Sequence, residues 1–302
     1  MNIMLASDYT YSIHLLVCIK SILKHNKDKI NFYIFDLGIK EERKENIRAV
    51  IELSGCSVCF IHINKDEFSD FPKTISYISL ATYARLKAAD YLLKNLRKVL
   101  YLDVDILVLG NIGDLWETNI EDYALAACID SFVENKSPSH KEKISLSCDD
   151  YYFNAGIMLI NLEEWRKINV FVYSLNWLSL YGKEAIYQDQ DILNSIFKGN
   201  IYYLDCRFNF MPEQMDRIKQ YHKGKLRELH ALEKTTMPVV ISHYCGPEKA
   251  WHSDCKHFQA YSYYKILAEI TRSMDREKQL SLKTYLQNLI RKIKYRFKYK
   301  IY

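Results

Sequence analysis

Val99-Leu100-Tyr101-Leu102-Asp103-Val104-Asp105-Ile106-Leu107-Val108 sets two carboxylates one residue apart at the end of an apolar run. On an extended backbone, side chains i and i+2 point the same way. The spacing therefore predicts that Asp103 and Asp105 converge on one hard cation while Val104 turns back into the core. An Asp-x-Asp triplet alone also describes a surface turn with two solvated acids. The apolar residues on either side favour the first reading. They place the acids where a buried strand surfaces, which is the ligand crevice of an open α/β sheet.

Upstream, the chain alternates. Residues 1–6 read as a strand, and 11–25 carries Leu15, Ile19, Ile22 and Leu23 at helical spacing. Strand at 31–37, helix at 40–53, strand at 57–63 and helix at 79–93 follow, an order that predicts a mostly parallel sheet covered on both faces. Asp8, just past the first strand, falls at the same sheet edge as Asp103 and Asp105, either as a helix cap or as a ligand contact.

Downstream come a strand at 124–130 and a polar stretch, 131–150, with the composition of a flap or of a plain surface loop. Tyr152-Phe153-Asn154-Ala155-Gly156 opens a second apolar strand, 157–160, where small Ala155 and Gly156 let a ligand approach the backbone. Gln188-Asp189-Gln190-Asp191 reads as the first turn of a helix, with Asp189 as cap and Asp191 as a favourable charge at its positive end. After a strand at 201–205 and a polar, aromatic region at 206–238, residues 239–245 form a buried-type strand that carries His243 near its end. Gly246, Pro247, Lys249 and Trp251 follow at once. A flexible glycine, a cation and an indole beside an imidazole favour a ligand site over a structural histidine.

With 302 residues, 49% hydrophobic, and only 9 Gly and 5 Pro, the chain can bury one large core or two modest ones. It has no run of about 18 apolar residues, and its first eight residues read as a strand, so a cytoplasmic protein is expected. Its 8 scattered cysteines favour reduced thiols. Cys56 and Cys59 form a C-x-x-C, but on a strand they face opposite ways, which speaks against a shared metal or redox role. The net charge of +5 is local: residues 280–302 hold seven cations and no acid, leaving −2 for the remainder. There Leu282, Leu286, Leu289, Ile293 and Phe297 recur at three- and four-residue intervals, a basic amphipathic helix suited to an anionic membrane surface. No nucleic-acid partner is expected, because no other stretch is basic.

These residues resemble glycosyltransferase family 8 over nearly the whole chain, and most closely its bacterial lipooligosaccharide and lipopolysaccharide α-1,4-galactosyltransferases. Five motifs in one order carry the likeness: Thr82-Tyr83-Ala84-Arg85-Leu86, Leu100-Tyr101-Leu102-Asp103-Val104-Asp105, Tyr151-Tyr152-Phe153-Asn154-Ala155-Gly156, Tyr187-Gln188-Asp189-Gln190-Asp191, and Ser242-His243-Tyr244-Cys245-Gly246-Pro247-Glu248-Lys249-Ala250-Trp251. The resemblance implies an α/β class of GT-A type, a Rossmann-like mixed sheet covered by helices, over 1–273, with 131–150 as flap and 206–238 on the acceptor side. It implies that the tail, 274–302, holds the enzyme on the inner face of the bacterial cytoplasmic membrane. The implied reaction is transfer of galactose from UDP-galactose, with retention, to a galactoside terminus of lipooligosaccharide.

The resemblance also implies Mn²⁺, with Mg²⁺ as the other suitable ion, bound by Asp103, Asp105 and His243. By family position Asp8 meets the uracil, with Ala6 and Thr10 beside it, and Asp103 and Val104 lie on the ribose side. Arg85, Asp130, Asn154, Ala155, Gly156, Asp189 and Gln190 face the donor sugar. His243, Gly246 and Lys249 complete the donor site, and Ile78, Cys245, Gly246 and Trp251 flank the acceptor. Thr10 is a departure, since the galactosyltransferases carry asparagine there; threonine still donates one hydrogen bond.

The chemistry asks for the same set. A departing nucleoside diphosphate gains negative charge, which a carboxylate-held cation and Lys249 offset. Retention proceeds either through a nucleophile beneath the anomeric carbon, for which Asp189 or Gln190 is placed, or by front-face attack. An amide is a poor nucleophile, so the front-face route is expected, with Gln190 stabilising the oxocarbenium charge. UDP-glucose is the nearest alternative donor. A non-catalytic glycan-binding protein is the alternative class, but it needs no metal and phosphate clamp together.

Overall fold

The computed structural model describes residues 1–75, 80–211, 238–252, 255 and 260–274. Its elements run β1 (Asn2–Ser7), α1 (Ser12–His25), β2 (Asn31–Asp36), α2 (Glu41–Glu52), β3 (Ser57–His62), α3 (Ala88–Tyr91), β4 (Lys98–Leu102), β5 (Ile106–Val108), α4 (Gly113–Trp116), β6 (Leu125–Ile129), α5 (Ser131–Lys136), α6 (His140–Lys143), β7 (Phe153–Asn161), α7 (Leu162–Ile168), α8 (Val170–Tyr181), α9 (Asp189–Ile196), β8 (Ile201–Tyr203), β9 (Ile241–His243) and α10 (Ala260–Met274). Ile78, most of 206–238 and the tail from 275 lie outside the described residues.

Period-two alternation divides the apolar side chains between two cores. Ile3, Leu5, Leu100 and Leu102 face one side, where α1, α2 and α10 pack; Met4, Val99, Tyr101 and Met158 face the other, under α7, α8 and α9. Because both faces are covered, the central strands are buried along almost their whole length and read as continuous apolar runs. The seven strands order as β3-β2-β1-β4-β7-β6-β8. β1 pairs in parallel with β2 and β4, whereas β7 is antiparallel to both β4 and β6. The sheet is thus mixed, as the resemblance implies. A second, two-stranded sheet joins β5 antiparallel to β9, with Ile106 opposite His243.

The expected extended path through both acids is corrected. β4 stops at Leu102, and Asp103 to Asp105 form the turn that carries the chain from the large sheet into β5. The helix expected over 79–93 is instead a 3₁₀ helix, Leu80–Lys87, followed by the single turn of α3. In a 3₁₀ helix residues i and i+3 eclipse, and this aligns Thr82 with Arg85. Segment 131–150 contains α5 and α6. It is tied down from within: buried Lys141 donates to both carboxylate oxygens of Glu134 and to the carbonyls of Cys148 and Asp150. All eight cysteines are free thiols. No helix among the described residues is long and apolar enough to cross a membrane.

Asn161 joins β7 to α7. Its Oδ1 accepts from the amides of Glu163 and Glu164, and its Nδ2 donates to the carbonyls of Ile120 and Tyr123. Asn161→Ala removes the cap and strands those carbonyls, so a loss of about 2 kcal/mol is expected in a urea unfolding curve. An unchanged midpoint would mean that the junction is not cooperative with the core.

Candidate active site

β1, β4 and β7 lie side by side in the sheet, with β9 in the small sheet close by. Their ends, together with the N-terminus of α9, border a cavity of about 250 Å³. Ala6, Asp8, Arg85, Asp103, Val104, Asp105, Asp130, Asn154, Ala155, Gly156, Asp189, Gln190, His243, Cys245, Gly246 and Lys249 all line it. Thr10 and Trp251 are not among the lining residues. Thr10 is exposed in the turn before α1, and the indole of Trp251 is stacked on His14 with ring centroids 3.6 Å apart. Asp8 accepts the Tyr11 amide in the turn before α1 and lines the cavity.

Burial drives the electrostatics. It pushes the Asp103 carboxyl up, with the Asp105 charge adding to the effect against the pull of Arg85. Burial works in the same direction on Asp105, but there Lys249 and His243 prevail and hold the carboxyl well below its usual range. Lys249 Nζ lies 2.6 Å from Asp105 Oδ2 and also donates to the Tyr244 carbonyl. On the opposite wall Arg85 donates to Asp103 Oδ1 at 2.9 Å and to the Ala155 carbonyl, and its guanidinium lies over the Tyr101 ring. Asp189, buried between Thr82 and Arg85, is pushed up to about 6 by desolvation despite the guanidinium. Its Oδ1 accepts from Thr82 Oγ1, while Oδ2 sits 2.9 Å from Arg85 Nε without an aligned hydrogen bond.

Asp103, Asp105 and His243 each bring a ligand atom within 4.8 Å of the others. His243 Nε2 is 3.3 Å from Asp105 Oδ1 and 3.8 Å from Asp103 Oδ2, and neither Nε2 nor Asp105 Oδ1 has a hydrogen-bond partner among the described residues. Buried polar atoms left unsatisfied while facing one another fit a divalent cation between them. Gly156 supports the same corner. A Cβ there would lie 2.2 Å from His243 Cε1 and 2.8 Å from Asp103 Oδ2, so only glycine lets the imidazole pack onto β7.

Gln190 is held at both ends of its amide: Oε1 accepts from the Ala155 amide, and Nε2 donates to Asp130 Oδ2. The loop before it is strained, with buried Gln188 at φ 54° and ψ −125°. Asp191 does more than complement a helix end. Its Oδ2 accepts the amides of Ile186 and Tyr187, and its Oδ1 meets Tyr152 Oη and His140 Nε2. Residues without an expected role also belong here. Tyr101, next to the last residue of β4, donates to Asp103 Oδ1 at 2.6 Å from two positions upstream. Asn209, which bonds His243 Nδ1 from the loop after β8, carries no signal in the sequence.

The family model described as "Glycosyl transferase family 8" matches residues 2–255. A Haemophilus influenzae protein that carries the name of a glycosyltransferase but no stated substrate is 44% identical over 91% of this chain and 80% of its own length. Lipopolysaccharide 1,2-glucosyltransferase of Escherichia coli K12 is 27% identical, covering 89% of this chain and 78% of that protein. The crystal structure of the galactosyltransferase LgtC in complex with donor and acceptor sugar analogues superposes with a TM-score of 0.84 at 40% identity, over 90% of this chain and 96% of that one.

Gly156→Ala pushes the His243 ring off its seat. Metal affinity is expected to fall about 10- to 100-fold in a Mn²⁺ titration, with the far-ultraviolet circular dichroism unchanged. Wild-type affinity in the alanine protein would show that the ring has room to shift.

Proposed function

The chain belongs to glycosyl transferase family 8 and is a retaining glycosyltransferase. On that premise we propose that it moves galactose from UDP-galactose to a galactoside terminus of lipooligosaccharide, with Mn²⁺ or Mg²⁺ held by Asp103, Asp105 and His243. One observation carries the reading: the unsatisfied Asp105 Oδ1 and His243 Nε2 face the same cavity as Lys249, Asp189 and Gln190. That combination suits a nucleoside diphosphate at one end and a sugar at the other. The 40% identity with a galactosyltransferase supports galactose as the donor sugar. The lipopolysaccharide glucosyltransferase relative keeps UDP-glucose as the second reading, since the two donors differ at one hydroxyl.

A bound divalent cation offsets the charge that develops on the departing diphosphate. The protein's own groups do the rest. Asp8 reads the uracil, and Lys249 binds a phosphate oxygen from its position beside Asp105. Arg85 fixes the carboxylates of Asp103 and Asp189, which hold the donor-sugar end of the cavity. In front-face transfer the acceptor oxygen bonds to the anomeric carbon as the bond to the β-phosphate breaks, and the acceptor proton passes to that phosphate. Gln190 Oε1 retains a lone pair beyond its bond to Ala155 and stabilises the oxocarbenium charge. Cys245 and Gly246 border the acceptor. The basic tail docks the enzyme on the inner face of the cytoplasmic membrane, where lipid-linked acceptors are assembled.

Purified protein with Mn²⁺ and lactose is expected to yield a galactosylated product from UDP-galactose, much less product from UDP-glucose, and none in EDTA. No transfer or hydrolysis with either donor would sink the enzymatic reading. Sedimentation with anionic vesicles is expected to capture the full chain but not residues 1–271; equal binding by both would remove the tail from that role.

A further inference from the structure

The bond between Asn209 and His243 decides which imidazole nitrogen is free. Neither ring protons nor amide orientations are self-evident, but here a backbone donor fixes them in sequence. The Gly156 amide donates to Asn154 at 3.0 Å, so the atom it meets is Oδ1. Asn209 approaches that same oxygen at 2.9 Å and must donate to it through Nδ2, which turns its own Oδ1 towards His243 Nδ1, 2.9 Å away. An amide oxygen only accepts, so Nδ1 carries the proton and a neutral His243 presents a lone pair at Nε2. The same chain runs the other way: Asn154 Nδ2 donates to Asp130 Oδ2, which also takes the Gln190 amide. Asn209 is fully buried at the end of a 3₁₀ turn, Cys206–Phe208, and neighbouring Phe210 bridges to Ser242 of β9.

We infer that Asn209 is the positioning residue that makes His243 a nitrogen ligand, by holding the proton on Nδ1 and the Nε2 lone pair towards Asp103 and Asp105. The inference rests on the metal-dependent reading above. It adds that one amide sets the tautomer of the ligand and links it, through Asn154, to the groups around Gln190. A ring hydrogen-bonded at the distal nitrogen is also a stronger and better-aimed ligand.

The test uses the full chain. In metal-free protein labelled with ¹⁵N-histidine, the His243 signals, identified by their loss in His243→Gln, are expected to show a protonated Nδ1 and an unprotonated Nε2. The opposite tautomer overturns the proposal. Binding of Mn²⁺ in the presence of UDP, followed by the loss of the free-ion electron paramagnetic resonance signal, is then compared across two variants. Asn209→Leu removes the acceptor and is expected to weaken Mn²⁺ binding about 10- to 100-fold. Asn209→Asp keeps an acceptor oxygen but loses the bond to Asn154. Its Mn²⁺ affinity is expected to stay within about threefold of wild type while turnover falls. Equal losses of affinity in both variants would reduce Asn209 to a packing role, and no loss in either would remove it from the site. Absence of Mn²⁺ binding by wild type would instead sink the metal-dependent reading itself. If Asn209→Leu does not fold, the wild-type tautomer and the aspartate variant still decide.

Discussion

Like charges buried together dominate this molecule. Asp103, Asp105 and Asp189 share one cavity, and removing carboxylates from water is costly unless each finds a cation or a set of donors. Arg85 serves Asp103 and Asp189 at once, and Lys249 serves Asp105. The fold can be read as the means of delivering those two cations. Arg85 comes from the 3₁₀ turn on one side of the sheet, and Lys249 from the loop after β9 on the other. What the two cations leave unmet, on Asp105 Oδ1 and His243 Nε2, belongs to a cluster that could hold a metal ion.

The break between the two sheets follows from the same requirement. Had β4 continued straight through Asp105, both acids would project from one strand face with nothing opposite them. The turn after Leu102 sends the chain into β5 instead, and β5 brings β9, and with it His243, against the acids. Tyr244 then closes the corner by donating its amide to the Asp105 carbonyl. The orthogonal requirement, room for the imidazole, falls on β7 and explains a glycine in the middle of a fully buried strand.

Much of this was legible in the sequence, because period and burial coincide. The apolar runs of β1, β4 and β7 and the 3.6-residue spacing of α1 announce themselves; Asp8, Asp103 and Asp105 follow β1 and β4, Gln190 opens α9, His243 ends β9 and Lys249 lies just beyond it, and all line the cavity. Local geometry was less visible. In Leu100–Val108 only Asp103 and Asp105 disfavour a strand, and the apolar residues on either side mask the turn they form before β5 pairs with β9. Arg85 was expected on an α-helix and lies on a 3₁₀ helix. Trp251 was expected to flank the acceptor, and its stacking on His14 from α1 was not foreseen, being a contact between residues far apart in the chain. Asn209 was invisible for the opposite reason: a polar residue in a polar loop shows its role only once its neighbours in space are known.

Gln188, with its left-handed backbone, bears on the thermodynamics of binding. A non-glycine residue holds such a conformation only where its surroundings over-determine it. Here Pro72, Thr74 and Asp191 grip the loop by hydrogen bonds to its backbone or to the Gln188 side chain, and Tyr152 and His140 hold Asp191 in turn. The conformational entropy of that loop is therefore surrendered during folding and not on meeting a ligand, so Asp189 and Gln190 are preorganised. Ordering of this loop should accordingly contribute little to the heat of ligand association, a trait more typical of rigid hosts than of surfaces that fold around their guests.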